Sequence, residues 1–131
     1  TGKESSPSLA DASTRIRTAI MQNPIMLSGE GRVDTRITEE CQGEVFVKSG
    51  AEGVMAASIP ALGYGLAVKI DDGAQRAATA VMAYLLSQML QKHSLTTPKA
   101  VEMLKGYARF QIKNWNGTDI GSIEPISLNG L

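Results

Sequence analysis

Between Glu44 and Ile70 three strand-like runs follow one another with only short breaks between them. The first, Glu44-Val45-Phe46-Val47-Lys48, starts from Gly43 and alternates with a period of two. The second runs from Gly53 to Ile59 and is apolar and small. Pro60-Ala61 marks a turn. A third run, Leu62 to Ile70, then carries large apolar residues at even positions, with Gly63, Gly65, Ala67 and Lys69 at odd ones. One face of that run is buried, and the other is kept low, as where a helix or a ligand lies close. Turns this short make the three runs an antiparallel meander, because parallel neighbours need a crossover of about a dozen residues.

Helical signals flank the meander. Ser6 as N-cap and Pro7 at the first helical position start a helix with an apolar face of Leu9, Ala12, Ile16, Ala19 and Ile20. Asn23-Pro24 ends it, since the residue before proline is pushed out of the α region. A glycine-bracketed turn around Glu30 leads into a short helix over 33–40. After Asp71-Asp72-Gly73 comes the most secure element, a helix from Ala74 to about Lys92. Its wide stripe is Ala77, Ala78, Val81, Met82, Leu85, Leu86 and Met89. Asp72 with Gln75 has the form of a capping box. Thr97-Pro98 starts a further helix to about Tyr107, and Asn116-Gly117 between apolar alternations suggests a final hairpin. The expected fold class is α+β, an antiparallel sheet with packed helices.

At 131 residues the chain is long enough for one domain with an ordinary core, and 43% hydrophobic with 20% charged is globular composition. Thirteen basic and thirteen acidic residues cancel, so no net charge recruits nucleic acid or an anionic membrane. Tyr107-Ala108-Arg109-Phe110 and Lys113-Asn114-Trp115 read as strand packing before they read as base-stacking platforms. Cys41 is the only cysteine, which excludes an intrachain disulfide and makes a reducing, cytoplasmic setting the default. One cysteine and one histidine, His93, cannot make a metal site alone, so no metal is expected on this chain. His93 reads as a solvated residue at a helix end. The first residues, Thr1 to Ser6, lack both a signal-peptide core and an initiator Met, as in a cut product or a chain that starts mid-protein. Thr1 acting through its own amine is the alternative there.

The chemistry concentrates in Val47-Lys48-Ser49-Gly50-Ala51-Glu52-Gly53-Val54. Lys48 can hold a carboxylate, and Ser49 can hydrogen-bond beside it. Gly50 and Gly53 let a substrate approach the backbone with no Cβ in the way. On an edge strand, the Ala51 N–H is free to point at a substrate oxygen, as an oxyanion donor must. This is a substrate-binding strand without its catalytic partner. Ser28-Gly29-Glu30-Gly31-Arg32 reads either as a turn or as a loop bracing the site through Glu30 and Arg32. Lys69 reads as an exposed strand lysine, and Asp71 and Asp72 as turn and cap residues.

Gly29-Glu30-Gly31-Arg32, then Lys48-Ser49-Gly50-Ala51-Glu52-Gly53, then Val68-Lys69-Ile70-Asp71-Asp72-Gly73 form an order of motifs. With it, the chain from about Ser8 to Ile123 resembles the C-terminal part of the thermolabile L-asparaginases, the asparaginase II family. That family is similar in fold to the serine β-lactamases, penicillin-binding proteins and serine-dependent glutaminases, which carry a Lys-Ser/Thr-Gly strand facing the nucleophile. The resemblance implies that Lys48 and Ser49 bind the α-carboxylate or tune the nucleophile's charge, and that the Ala51 N–H is half of an oxyanion hole. It raises Glu30 and Arg32 as substrate-side residues and places Gly50 and Glu52 beside the substrate.

The resemblance also implies what is elsewhere. The family's nucleophilic Ser-x-x-Lys pair lies in an N-terminal part; here the nearest spacing, Ser94 onward, fails because position 97 is Thr. Zinc, bound in some members by cysteine and lysine ligands, belongs to that same part, and Cys41 does not match those ligands. The expected function is an asparaginase-type amidohydrolase acting on L-asparagine or a similar small amide. This chain, alone inactive, would work with an N-terminal half as partner. A homodimer is expected if apolar surface is left open. Glutaminase or β-lactamase/D,D-peptidase activity is one alternative, and a non-catalytic association domain or inactive fragment is the other.

Overall fold

The computed structural model describes residues 7–127. Thr1 and the expected Ser6 cap lie outside the described residues. Helices α1 (Pro7–Gln22), α2 (Pro24–Ser28) and α3 (Val33–Glu40) precede strands β1 (Phe46–Ser49), β2 (Val54–Ile59) and β3 (Tyr64–Lys69). A 3₁₀ turn at Pro60–Leu62 joins the last two strands. Helices α4 (Gln75–Lys92) and α5 (Pro98–Ala108) follow, then a hairpin of β4 (Phe110–Lys113) and β5 (Asp119–Ile123). The α+β class and the antiparallel sheet hold. The three-stranded sheet has the order β1-β2-β3, so β1 is an edge.

Register decides which side chains meet the core. Val47 lies opposite Ala57, and Ser49 opposite Met55, which in turn faces Val68. Val47, Met55 and Ile59 are completely buried on that face, together with Ile37, Met82, Leu86, Leu90 and Leu104 from α3, α4 and α5. The other face pairs Lys48 with Ala56 and Ala56 with Ala67, all exposed. The low face expected of the third run is therefore a solvent face in the described residues.

The α4 stripe is rotated from the expected one. Ala78, Met82 and Leu86 are buried as expected, but Ala83, Ser87 and Leu90 join them while Ala77, Val81, Leu85 and Met89 are half-buried. The cause is α5, which packs on α4 and adds a second apolar contact surface to that of the sheet. Ser87 is tolerated there because its hydroxyl donates to the Tyr84 carbonyl at 2.7 Å. The expected capping box does not form. The helix begins at Gln75 with Ala74 as N-cap, and Asp72 Oδ1 accepts instead from the Ala74 N–H at 2.9 Å. At α5 the cap is as expected, with the Thr97 hydroxyl accepting from the Ala100 N–H at 3.2 Å. His93 is the exposed C-cap of α4.

The hairpin forms around Asn114, whose side-chain oxygen accepts from the N–H groups of Asn116 and Thr118 at 3.0 and 2.9 Å. Trp115 stands fully exposed at its tip, so it packs no strand.

Cys41 closes the C-terminal end of α3 and is fully buried. Burial, reinforced by the charges of Glu40 and Glu44 and only partly offset by a hydrogen bond with Thr96, pushes its thiol up to about 11. Iodoacetamide should therefore leave Cys41 intact in the folded chain at pH 8 and modify it on unfolding in urea. Mass spectrometry reads the difference, and native-state labelling at the unfolded rate would contradict the burial.

Candidate active site

The site is assembled at the open edge of the sheet, where α3 meets β1. Asp34 lies in the first turn of α3, a position where a carboxylate is favoured by the helix dipole. Its side chain turns inward and is only 4% exposed. One carboxylate oxygen, Oδ2, collects three hydrogen bonds: from the Ser49 N–H at 2.8 Å, the Ser49 hydroxyl at 2.7 Å and the Ser28 hydroxyl at 3.2 Å. The Lys48 ammonium stands 3.6 Å from the same oxygen. Burial works against the charge on Asp34, but the bonds from Ser49 and Ser28 and the charge of Lys48 outweigh it. The carboxyl is held below its ordinary range. Asp34 is an anion at neutral pH, and so an acceptor only.

Neighbouring threonines fix this arrangement. The Thr38 hydroxyl, one turn after Asp34, donates to the Asp34 carbonyl at 2.8 Å and accepts from the Val47 N–H at 3.3 Å, fastening α3 to the edge strand. The Thr35 hydroxyl donates to the Gly29 carbonyl at 2.6 Å and fastens the glycine turn to the same helix. Asp34, Thr35 and Thr38 are the buried polar residues of α3, and all three are hydrogen-bonded.

Lys48 and Ser49 both approach Asp34 Oδ2 from the end of β1. The Lys48 ammonium also donates to the Ser49 carbonyl at 2.7 Å, and its side chain is 45% exposed, within reach of a ligand. Gly50 extends the pairing through its N–H to the Val54 carbonyl at 2.8 Å. Ala51 and Glu52 follow on an exposed bend, and Glu52 has a positive φ of 56°. The Ala51 N–H makes no hydrogen bond among the described residues. Glu30 and Arg32 lie exposed on the turn clamped by Ser28 and Thr35. Their side chains make no hydrogen bond or ion pair among the described residues.

Three residues have roles that residue type alone does not reveal. Gly53 is buried, and a Cβ on it would come within 2.8 Å of the Gly73 carbonyl carbon. The glycine thus serves the contact between the β1–β2 bend and the β3–α4 turn, in place of the substrate approach expected of it. Lys69 is exposed, as expected, but its ammonium donates to the Glu52 carbonyl at 2.9 Å and to the Ile70 carbonyl, bracing the bend that carries Ala51. An acidic residue in a first helical turn is ordinary, which hides Asp34 in the sequence. Its signal was the Asp-Thr-x-x-Thr spacing, three polar residues on one side of a helix that must pack on a strand.

A zinc site does not fit the described residues. They hold no cluster of three or more His, Cys, Asp or Glu that could take a metal, and the buried Cys41 thiol is held protonated. No helix among them is long and apolar enough to cross a membrane.

The sheet edge thus ends in Lys48 and Ser49, buttressed by the buried Asp34 carboxylate and followed by the Ala51 N–H. The chain matches the L-asparaginase II family over residues 1–125 and belongs to that family. Its family is one of amidohydrolases, with an amide such as asparagine as substrate. None of the curated proteins compared with it matches.

Proposed function

We propose that this chain is the substrate-binding, C-terminal part of a thermolabile-type asparaginase that converts L-asparagine to L-aspartate and ammonia. The observation that carries the reading is the convergence of Lys48 and Ser49, at the end of an edge strand, on the buried Asp34 carboxylate. Lys48 holds the substrate α-carboxylate. The Ala51 N–H stabilises the oxygen of the side-chain amide as it becomes an oxyanion. A serine from an N-terminal part attacks the amide carbon, ammonia leaves, and water releases aspartate from the acyl-enzyme. Ser49 is poorly suited to be that nucleophile, because its hydroxyl faces a carboxylate whose basicity the hydrogen bonds from Ser49 and Ser28 and the charge of Lys48 have lowered, against the effect of burial. Zinc, if the whole enzyme uses it, belongs on this reading to the N-terminal part.

The surface of α1 supports an absent partner. The helix has no buried residue, and Leu9, Ile16 and, on α2, Met26 are 55%, 62% and 86% exposed. The same open face also favours the second reading, a domain used for association without turnover. The two differ in their dependence on Lys48. Ammonia release from L-asparagine and L-glutamine should appear when the chain is supplied with the N-terminal part, and Lys48→Ala should reduce it about a hundredfold or more. No release from well-folded material in either setting leaves association as the better account.

A further inference from the structure

The hydrogen atoms at the site are already allotted, and that restricts what the site can recognise. A serine hydroxyl has one proton and two lone pairs. Ser49 gives its proton to Asp34 at 2.7 Å and Ser28 gives its own at 3.2 Å. Neither can take it back for a ligand oxygen without leaving a nearly buried carboxylate short of a donor, which is costly. Each hydroxyl therefore faces outward as an acceptor, with a negative charge directly behind it.

We propose that Ser49, oriented by Asp34 and seconded by Ser28, accepts a hydrogen bond from the substrate's α-ammonium and selects free α-amino acids over ligands offering a carboxylate alone. This rests on the asparaginase reading and deepens it. A donor Ser49 beside Lys48 would serve a second carboxylate contact. An acceptor Ser49 beside Lys48 instead presents a cation and an anion-backed oxygen side by side. Asp34 and Lys48 cancel in charge, so the pair matches a ligand that is itself a zwitterion. Of the other charged groups nearby along the chain, Glu30, Arg32 and Glu52 are exposed and solvated, and only Asp34 is buried. Asp34 is a positioning residue here: it touches no ligand and acts through the direction of two hydroxyl protons.

The test compares L-aspartate with succinate, which carries the same two carboxylates and no ammonium, and with N-acetyl-L-aspartate, whose amine is blocked. Binding to the ¹⁵N-labelled chain, with the unlabelled N-terminal part supplied, is followed at the Ser49 and Ala51 amides. L-Aspartate should bind about ten- to a hundredfold more tightly than either analogue, the range for one hydrogen bond to a charged group. Lys48→Ala should weaken all three ligands together. Ser49→Ala should erase most of the preference. Asp34→Asn should erase or reverse it, because an asparagine amide can donate to Ser49 and release the hydroxyl proton for a carboxylate. A structural role alone would weaken all ligands alike and leave their ratio unchanged. Succinate binding as well as aspartate, with Lys48 still required, overturns the acceptor assignment and leaves the asparaginase reading standing. Binding of neither ligand, from a folded chain supplied with the N-terminal part, removes both.

Discussion

Replacing Asp34 with alanine should lower the unfolding free energy by about 2–4 kcal/mol, chiefly for the part-buried donors left without an acceptor, since the Lys48 left behind is 45% exposed and stays solvated. The loss is large because one oxygen serves three donors and a cation. Without it the Ser49 N–H, the Ser49 hydroxyl and the Ser28 hydroxyl lose their partner, and of the side-chain hydrogen bonds from α3 to β1 only that from the Val47 N–H to Thr38 is left. Asp34→Asn keeps an acceptor and should cost less, about 1–3 kcal/mol, because the charge and one donor's geometry are lost while the shape stays. The acid response has a definite sign. The folded carboxyl titrates below its unfolded counterpart, so its contribution is complete above the unfolded value, about pH 4, and is lost as pH falls through the lower folded value. Urea unfolding at pH 7 and at pH 3 should show the wild type losing stability on acidification, with part of that loss missing in Asp34→Asn. Identical acid sensitivity in the two proteins would mean that the cluster stores no charge-dependent stability.

Legibility in the sequence followed how local each signal was. The meander was readable because alternation and turn chemistry lie within a few residues of one another, and Val54–Ile59 and Tyr64–Lys69 pair where the pattern put them. Thr97 could be read as a cap for the same reason. What failed depended on a partner distant in the chain. The α4 face was misjudged by the rotation that α5 imposes. The structural role of Gly53 is hidden because its neighbour, Gly73, is twenty residues away and meets it only once β2 and β3 have paired. The site shows the same division. Lys48 and Ser49 stood out by residue type, while Asp34, fifteen positions from Ser49, carries no local mark of being the atom they converge on.

That distant glycine contact yields the second large effect. Gly53→Ala should cost about 2–5 kcal/mol, the sum of two separate penalties. Gly53 sits at φ +69°, in the left-handed region, which an L side chain enters at about 1–2 kcal/mol. The added Cβ would also lie 2.8 Å from the Gly73 carbonyl carbon and 3.0 Å from the Ile70 Cβ. Backbone cannot swing aside as a flexible side chain would, so overpacking adds about 1–3 kcal/mol. Gly31→Ala supplies the control. Its φ is +70°, but nothing lies within 4 Å of the new Cβ, so only the backbone penalty applies. Urea denaturation of the two variants separates the terms, and equal losses would show that the Gly73 turn gives way. If it holds, the bend from Gly50 to Gly53 must move instead, shifting Ala51 away from the Lys48–Ser49 strand end. Gly53→Ala would then lose turnover in the assembled enzyme even under conditions where it stays folded, whereas Gly31→Ala would lose only stability.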